Sequence, residues 1–384
     1  MEKKINTSRE IVIDSLNHKE SFRVPVDLGG QSNSTLTLKA LNNLTQYLNI
    51  AKEASNFTLM AKHFQSVDVP EDILLRYKID FRSVNPGKPK KKREVFFDDG
   101  SYLDDWGIKY SPSGKGLYFD ITEYPLINFE EGNIDNFDWL DPDDEGWTTG
   151  LKEKTENYYF NTDFAIIGNM TSAQIFERCW NLRGFETFLM DLYINKNFAH
   201  KLLDKVTNIQ IQRVKNFLEI CGKYLNIFKI SDDLCGQTAP FISPQSYTEM
   251  IMPYHKRYIE EIKKFTNAKI ALHCCGNIRP LLPRLIEVGF DVVHPFQHSC
   301  PEMNPSELKK EFGKDLVFWG GIDVQKFLPT ATPEEVVVEV KNIINIMRND
   351  GGYIFSPSHN IQADIPPENL EAMYKTAANI NFRT

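Results

Sequence analysis

The fold is decided by residues 225–277, which contain LNIFKISDD at 225–233, SPQSYTEMIMPYHKRYIEEIKK at 243–264 and KIALHCCGN at 269–277. The first and third stretches are short apolar runs that end in polar residues, as buried strands do. The middle stretch begins with Ser243-Pro244, and proline is favoured at the first position of a helix. The order strand, helix, strand predicts two parallel neighbours in one sheet.

The same alternation continues on both sides of this unit. Strands are predicted at 23–28, 164–168, 291–295, 315–319 and 353–355, and helical segments at 7–17, 172–221, 280–288, 332–348 and 367–378. This rhythm, with polar residues at the strand ends, predicts a closed (β/α)8 TIM barrel. The alternative is an open doubly wound sheet, which is weakened because no strand-to-helix turn carries a G-x-G-x-x-G pattern.

The segment from about residue 31 to residue 155 does not share this rhythm. It contains short strand candidates and an acidic, aromatic stretch at 129–147. A chain of 384 residues could hold two or three domains, but barrels with insertions also reach this length. We therefore expect a single barrel domain over residues 1–384, in which the insertions at about 31–155 shape the mouth.

Composition excludes several classes of protein. Hydrophobic residues make up 41% and charged residues 25%, which is ordinary globular usage and excludes a disordered, collagenous or fibrous chain. The net charge of −8 argues against nucleic-acid binding. We expect no signal peptide in residues 1–15, no membrane span and no disulfide framework among the six cysteines, and therefore a cytoplasmic protein.

The strongest local signal for chemistry is the pair His273 and Cys275. Residues i and i+2 of a strand face the same side, so these two side chains point together while Cys274 points away. They stand at the carboxyl end of a strand, which is the active-site face of a barrel. Imidazole and thiolate are half of a zinc site, although a buried histidine and a buried free cysteine would give the same pattern.

A third ligand must come from another strand end. Spacing alone leaves open eight candidates, namely Asp232, Asp233, Cys235, His294, His298, Cys300, Asp323 and His359. Among these, His359 lies in SPSHNIQ at 356–362, directly after the last predicted strand. That loop belongs to the same barrel face as His273, but a loop histidine bonded to the backbone is the alternative.

Several motifs resemble those of the uroporphyrinogen decarboxylase superfamily, and more closely those of its cobalamin-dependent methyltransferase branch. This branch includes the methylcobamide:coenzyme M methyltransferases and the methyltransferase components of O-demethylases. The motifs are HCCGN at 273–277, WGGID at 319–323, GGYIFSPSH at 351–359, PPEN at 366–369, SDDL at 231–234 followed by Ser243-Pro244, and RVPV at 23–26. The resemblance covers nearly the whole chain and is most specific after residue 225.

The resemblance implies a zinc site. Enzymes of the methyltransferase branch hold zinc with a His-x-Cys pair, which matches His273 and Cys275, and with a later cysteine, where this chain has His359. Imidazole is also a competent zinc ligand. With one thiolate instead of two, the zinc would be more electrophilic, which would suit the polarisation of a substrate oxygen better than the activation of a thiol.

The decarboxylase branch of the superfamily is disfavoured by its substrate chemistry. It needs an arginine-rich loop near the N-terminus to bind the many carboxylates of its substrate. Here the loop after the first predicted strand reads DLGGQSN at 27–33 and contains no arginine. A porphyrinogen octacarboxylate would meet an acidic and neutral mouth.

These observations give three functional hypotheses. The first is a zinc-dependent methyltransferase that moves a methyl group between a small-molecule heteroatom and the cobalt of a corrinoid carried by a partner protein. Zinc would be held by His273, Cys275 and His359, with the predicted catalytic residues Asp232 and Asp233 and the predicted substrate-binding residues Gln297 and Asp323. The second is a decarboxylase-like lyase that acts on a carboxylate without a cofactor, and the third is a non-catalytic corrinoid-binding protein.

Overall fold

A computed structural model gives the structure of the protein and describes residues 6–50, 57–91, 93–114 and 118–382. The helices are α1 (Ser8–Leu16), α2 (Leu38–Tyr47), α3 (Glu71–Arg76), α4 (Leu151–Asn161), α5 (Phe176–Arg183), α6 (Phe185–Ile194), α7 (Lys196–Cys221), α8 (Pro244–Ser246), α9 (Met252–Lys263), α10 (Leu282–Val288), α11 (Pro305–Phe312), α12 (Phe327–Thr330), α13 (Pro333–Met347) and α14 (Pro367–Asn379). The strands are β1 (Leu59–Ala61), β2 (Ser66–Val67), β3 (Phe81–Val84), β4 (Val95–Phe96), β5 (Tyr102–Leu103), β6 (Lys109–Pro112), β7 (Phe119–Glu123), β8 (Ala165–Ala173), β9 (Ile227–Ser231), β10 (Lys269–His273), β11 (Val292–Phe296), β12 (Val317–Ile322) and β13 (Tyr353–Pro357).

A curled parallel sheet forms the centre of the fold. Its seven strands follow one another in the order β3, β8, β9, β10, β11, β12, β13, so each strand pairs with the next strand of this sheet along the chain. Helices connect the successive strands, as parallel pairing requires. The carboxyl ends of all seven strands therefore meet on one face, which we call the mouth.

An eighth extended segment, residues 24–28, closes the sheet into a barrel. On one side the Phe355 N–H donates to the Pro25 carbonyl and the Asp27 N–H donates to the Phe355 carbonyl, both at 2.9 Å. On the other side the Asp80 N–H donates to the Val26 carbonyl at 3.0 Å, next to β3. The first and last strands of the sheet thus share one partner, which confirms the predicted (β/α)8 barrel.

The barrel interior is filled by side chains from nearly every strand. Apolar side chains of β3, β8, β9, β10, β11, β12 and β13 meet there with Val12 and Leu16 of α1. Helix α1 is held by Ser15, whose hydroxyl donates to the Tyr353 carbonyl at the beginning of β13. Because α1 packs at the beginning of the strands, it covers the end of the barrel opposite the mouth.

The predicted insertion at about 31–155 contains one strand of the barrel itself. The four residues of β3 (Phe81–Val84) are a barrel strand, and the sequence pattern did not distinguish them from their surroundings. After β3 the chain forms an antiparallel sheet in the order β4, β5, β6, β7. This sheet is attached to α5 through Arg178, which stacks on Trp106 at 4.7 Å and pairs with Asp104 at 3.6 Å.

The predicted helical region at 172–221 is wrong in its details. Strand β8 continues to Ala173, and three helices follow instead of one. Gly184 separates α5 from α6 with a φ of +91°, a conformation that glycine adopts readily, and Asn195 separates α6 from α7. These two breaks turn the chain back at the mouth before the long helix α7 crosses the outside of the barrel.

Helix α7 is the longest of the described helices, and polar residues interrupt its apolar face throughout. Within the described part of the chain, no helix combines the length and the apolar character needed to cross a bilayer.

Candidate metal centre and active site

Strand β10 places His273 and Cys275 at the mouth. His273 is the last residue of β10 and pairs in register with Ser231 of β9 and His294 of β11. The chain then turns at Gly276 with a φ of +91°, where a Cβ atom would lie 2.2 Å from the Gly236 carbonyl oxygen. Glycine is therefore required at this position, and the turn keeps the Cys275 sulfur 3.4 Å from His273 Nε2.

His359 joins this pair from the loop after β13. Among the described residues, one group of three potential ligands has all of its ligand atoms within 4.8 Å of one another, and it consists of His273, Cys275 and His359. The rings of His273 and His359 lie 5.6 Å apart. The structure thus brings together the three side chains that the family resemblance implied.

The donor set fits a zinc ion. Tetrahedral zinc with bonds of about 2.0–2.3 Å to nitrogen and sulfur requires ligand atoms about 3.3–3.8 Å apart. The distance of 3.4 Å between His273 Nε2 and Cys275 Sγ lies in this range, and the separations that involve His359 lie within 4.8 Å. Burial lowers the pKa of His273 well below its ordinary value and that of His359 to about 4, and the Lys229 cation adds to both effects. Both imidazoles are therefore neutral, which is the form that binds metal.

The other candidates for the third ligand are engaged elsewhere. The Cys300 thiol donates to the Gln237 amide oxygen at 3.6 Å, and His298 lies 3.6 Å from a Glu339 carboxylate oxygen. Buried Cys235 interacts with the Cys274 thiol, which faces away from His273 as predicted. His294 contacts the cluster through His273 instead of joining it, with 2.7 Å between the two Nδ1 atoms.

The two predicted catalytic aspartates occupy different environments. Asp232 is fully buried, and its carboxylate accepts the backbone N–H groups of residues 175–177 and Nε2–H of His255 at distances of 2.6–3.2 Å. These are the contacts of a residue that caps α5. Asp233 accepts the Cys275 N–H at 2.8 Å, so its carboxylate lies directly beside the group of His273, Cys275 and His359.

The predicted substrate-binding residues also have protein partners. The Gln297 amide oxygen accepts the Gly276 N–H at 3.1 Å, and its amide nitrogen donates to Gln237 at 2.7 Å. Asp323 accepts the backbone N–H groups of residues 325–327, each at 3.1 Å, and so caps α12. Gln297 therefore supports the turn that carries Cys275, and the substrate roles of both residues stay predictions.

Two ionisable residues near the cluster, Glu177 and Lys229, were not predicted from the sequence. Glu177 accepts the Asp233 N–H, and burial raises its pKa, with the negative charges of Asp233 and Asp232 adding to the effect. Lys229 lies inside the barrel, where its ammonium donates to Asn33 at 2.8 Å and Ser231 at 2.5 Å. Burial lowers the pKa of Lys229 to about 7. In the sequence, Lys229 is the one lysine in an apolar run, and this pattern does not show that its side chain faces the barrel interior.

A cavity of about 360 Å³ lies between the antiparallel sheet and the barrel mouth. Aromatic rings form much of its wall, namely Phe64, Tyr102, Tyr110 and Phe119. Its lining reaches the cluster from two sides, because Asp233 bonds to Cys275 and the Phe64 ring meets the His359 ring edge-on at 5.6 Å. The cavity thus borders two residues that contact the cluster, while His273, Cys275 and His359 themselves are not part of its lining.

Comparisons with known proteins agree with this arrangement. The sequence profile of the family described as uroporphyrinogen decarboxylase (URO-D) matches residues 153–380. The uroporphyrinogen decarboxylase of Ruthia magnifica is 25% identical over 185 residues, which are 47% of this chain and 49% of that protein. The methylated-thiol–coenzyme M methyltransferase of Methanosarcina mazei is 27% identical over 135 residues, or 35% of this chain and 33% of that protein. The alignments thus span half or less of the length of these curated relatives.

A solved structure extends the likeness of fold to the whole chain. A methyltransferase from Methanosarcina mazei superposes with a TM-score of 0.67 and covers 97% of this chain and 98% of its own, at 14% sequence identity. At this low sequence identity, the superposition shows that the two proteins share a fold. The sequence profile matches more than half of the chain and includes the strands β8 to β13, among them the two strands whose ends carry His273, Cys275 and His359. The chain therefore belongs to the uroporphyrinogen decarboxylase (URO-D) family.

Proposed function

We propose that the protein is a zinc-dependent methyltransferase that moves a methyl group between a heteroatom of a small molecule and the cobalt of a corrinoid. The corrinoid would be carried by a partner protein that docks at the mouth. The observation that carries this proposal is the cluster of His273, Cys275 and His359, whose ligand atoms lie within 4.8 Å of one another. The two relatives named as methyltransferases, one by sequence and one by fold, support it.

The three ligands would leave one position open on a tetrahedral ion. Zinc in such a site acts as a Lewis acid on the substrate heteroatom. The cluster would carry one negative charge, from Cys275, and two neutral imidazoles, so the bound ion would keep a net positive charge. This charge favours a substrate whose heteroatom gains electron density when its methyl group leaves.

The chain itself positions these groups. The Asp233 carboxylate and the Gln297 amide oxygen accept the N–H groups of Cys275 and Gly276 and so hold the ligand-bearing turn in place. Asp233 also lines the cavity, where its carboxyl group can contact substrate. We assign Asp233 to substrate orientation or proton transfer, and, because of its contacts, we assign Asp232 to the support of α5.

The second candidate is a decarboxylase-like lyase, because the relatives include proteins named uroporphyrinogen decarboxylase. The charges around the cavity oppose it. Four acidic groups line the cavity (Glu94, Asp104, Glu177 and Asp233) against two basic ones (Lys62 and Arg178). Lys62 is paired with Glu94 at 2.6 Å, and Arg178 with Asp104 at 3.6 Å. A substrate with many carboxylates would therefore find no unpaired lysine or arginine in this lining.

The cysteines agree with a reducing compartment. All six are free thiols, and five of them are buried. Stable free thiols are typical of proteins in the cytoplasm, where we propose that this protein acts.

Metal analysis combined with an activity screen tests the proposal. The purified protein should contain about one zinc per chain, a Cys275→Ser variant should lose it, and the matched Cys300→Ser variant should keep it, since Cys300 lies at the same mouth but outside the cluster. Methyl ethers, methylamines and methylated thiols are then supplied with cob(I)alamin, and methylcobalamin is followed by its absorbance.

The outcomes separate the candidates. Methylcobalamin formation that requires zinc supports the methyltransferase, and a zinc-free protein that decarboxylates uroporphyrinogen establishes the lyase instead. Bound zinc without methyl transfer from any donor, but with tight binding of cobalamin, would leave a corrinoid-binding protein and overturn the enzymatic proposal.

A further inference from the structure

His294 makes a direct contact with one of the three cluster residues. Its Nδ1 lies 2.7 Å from Nδ1 of His273, and the two ring centroids are 4.9 Å apart. His294 of β11 and His273 of β10 are paired in register, so the backbone hydrogen bonds between the two strands hold these residues side by side. Both side chains are buried, with 0% of His294 and 3% of His273 exposed.

The contact fixes which nitrogen of His273 carries the proton. A distance of 2.7 Å between two nitrogens is a hydrogen bond and requires one proton between them. His273 faces Cys275 with Nε2, so Nε2 is its ligand atom, and a nitrogen that binds a metal carries no proton. The proton of a neutral His273 therefore lies on Nδ1, and His294 accepts it.

We propose that His294 is a positioning residue that holds His273 in the tautomer with a free Nε2 and fixes the plane of its ring. This role rests on the proposed metal centre and adds a residue to it. Metal-binding histidines usually donate their second N–H to a carboxylate, a carbonyl or a water. Here the acceptor is a neutral imidazole, which adds no negative charge, so a bound zinc ion would keep its full electrophilic character.

The surroundings of His294 hold its own ring in place. Its ring meets Trp319 edge-on at 5.2 Å, and the Trp319 indole N–H donates to Asp27 at 3.1 Å. His294 Nε2 has no hydrogen-bond partner among the described residues, so its Nδ1 bond to His273 is the polar contact that orients it. Nothing else in this set of contacts requires an imidazole at position 294.

Zinc affinity is the first test, measured by competition with a chromophoric chelator. A His294→Phe variant removes the acceptor and should weaken zinc binding by about 10- to 100-fold. A His294→Gln variant, whose amide oxygen can accept the same proton, should recover most of the affinity. His298→Phe is the matched control, because His298 stands on the same side of the mouth but does not contact His273, and it should bind zinc like the wild type.

A second test does not depend on zinc. In metal-free protein labelled with ¹⁵N-histidine, long-range ¹H–¹⁵N correlations should show the His273 proton on Nδ1 in the wild type and in His294→Gln, and a mixture of tautomers in His294→Phe.

A wild-type His273 protonated on Nε2 would overturn the proposal even if zinc binds. Equal zinc affinity in His294→Phe and wild type would also overturn it. A wild type that binds no zinc would refute the proposed function, while the spectra would still decide the role of His294.

Discussion

Four hydrogen-bond donors converge on the carboxylate of Asp232. Three are backbone N–H groups in the first turn of α5, and the fourth is Nε2–H of His255, which is itself buried. An amide in place of the carboxylate would lose at least one acceptor and the negative charge that favours a helix N-terminus. Asp232 therefore connects the end of β9 to α5, beside the proposed metal site.

We expect Asp232→Asn to lower the free energy of unfolding by about 2–4 kcal/mol, because buried donors lose a charged acceptor. The matched control Asp323→Asn removes a similar cap from the short helix α12 and should cost about 1 kcal/mol or less. Urea unfolding measures both. If Asp232→Asn keeps wild-type stability and loses turnover, the residue is catalytic, as the sequence analysis predicted.

At the residue scale, the sequence predicts which side chains can bind metal but does not choose among them. The strand period predicts that His273 and Cys275 point together, and the structure places them so. It does not select His359 over Asp323 or Cys300, because that choice depends on how far each loop reaches across the mouth. The role of His294 could not be predicted either, because the sequence of one strand does not show which residue of the next strand lies beside it.

At the scale of elements, the carboxylate of Glu371 joins α14 to α3. It accepts hydrogen bonds from Arg76 at 2.8 Å and from the Tyr77 hydroxyl, and it pairs with Lys375 within α14. Burial by itself would raise the pKa of Glu371, but the hydrogen bonds from Arg76, Lys375 and Tyr77 outweigh it and lower the pKa to about 2. The charged carboxylate therefore stabilises the folded protein.

We expect Glu371→Gln to cost about 1–3 kcal/mol at neutral pH, as for other hydrogen bonds to a charged group. Because the pKa is about 2 in the folded chain and 4.5 in the unfolded chain, this contribution is complete above pH 4.5 and is lost as the pH falls towards 2. Urea midpoints of wild type and variant should therefore converge in acid. A difference that stays constant down to pH 3 would contradict this assignment.

The elements themselves could be predicted where the pattern is long. Strands β9 to β13 and most helices after β9 follow apolar runs with clear ends and lie within a few residues of their predicted positions, but the helices α11 and α12 were not predicted. Strand β3 was missed because four residues, FRSV, are too few to show a period. The breaks at Gly184 and Asn195 were missed because helix-forming residues surround them, and tertiary packing decides where the chain turns.

For the whole molecule, a buried ion pair lies where the barrel closes. The Arg23 guanidinium donates two hydrogen bonds of 2.6 Å to the Asp80 carboxylate, which also accepts the Val26 N–H at 2.8 Å. Asp80 precedes β3, and Arg23 precedes the closing segment 24–28. The pair thus fastens the eighth segment to the first strand of the sheet.

We expect Arg23→Met to lower the free energy of unfolding by about 3–5 kcal/mol, because it leaves a buried carboxylate without its cation. Adding Asp80→Leu to that variant should recover part of the loss, since no unpaired charge remains. Lys256→Met, which breaks an exposed ion pair with Glu287, is the control and should cost about 1 kcal/mol or less. A loss no larger than that of the control would show that the barrel closes without the pair.

The origin of the three cluster residues has a consequence for how the protein would acquire its metal in a cell. His273 and Cys275 lie at the end of β10, whereas His359 follows β13, and three strands must be synthesised between them. A nascent chain on the ribosome has the first two ligands long before the third. Tight metal loading would therefore be one of the last events in maturation, and a bound ion would mark molecules whose barrel is complete.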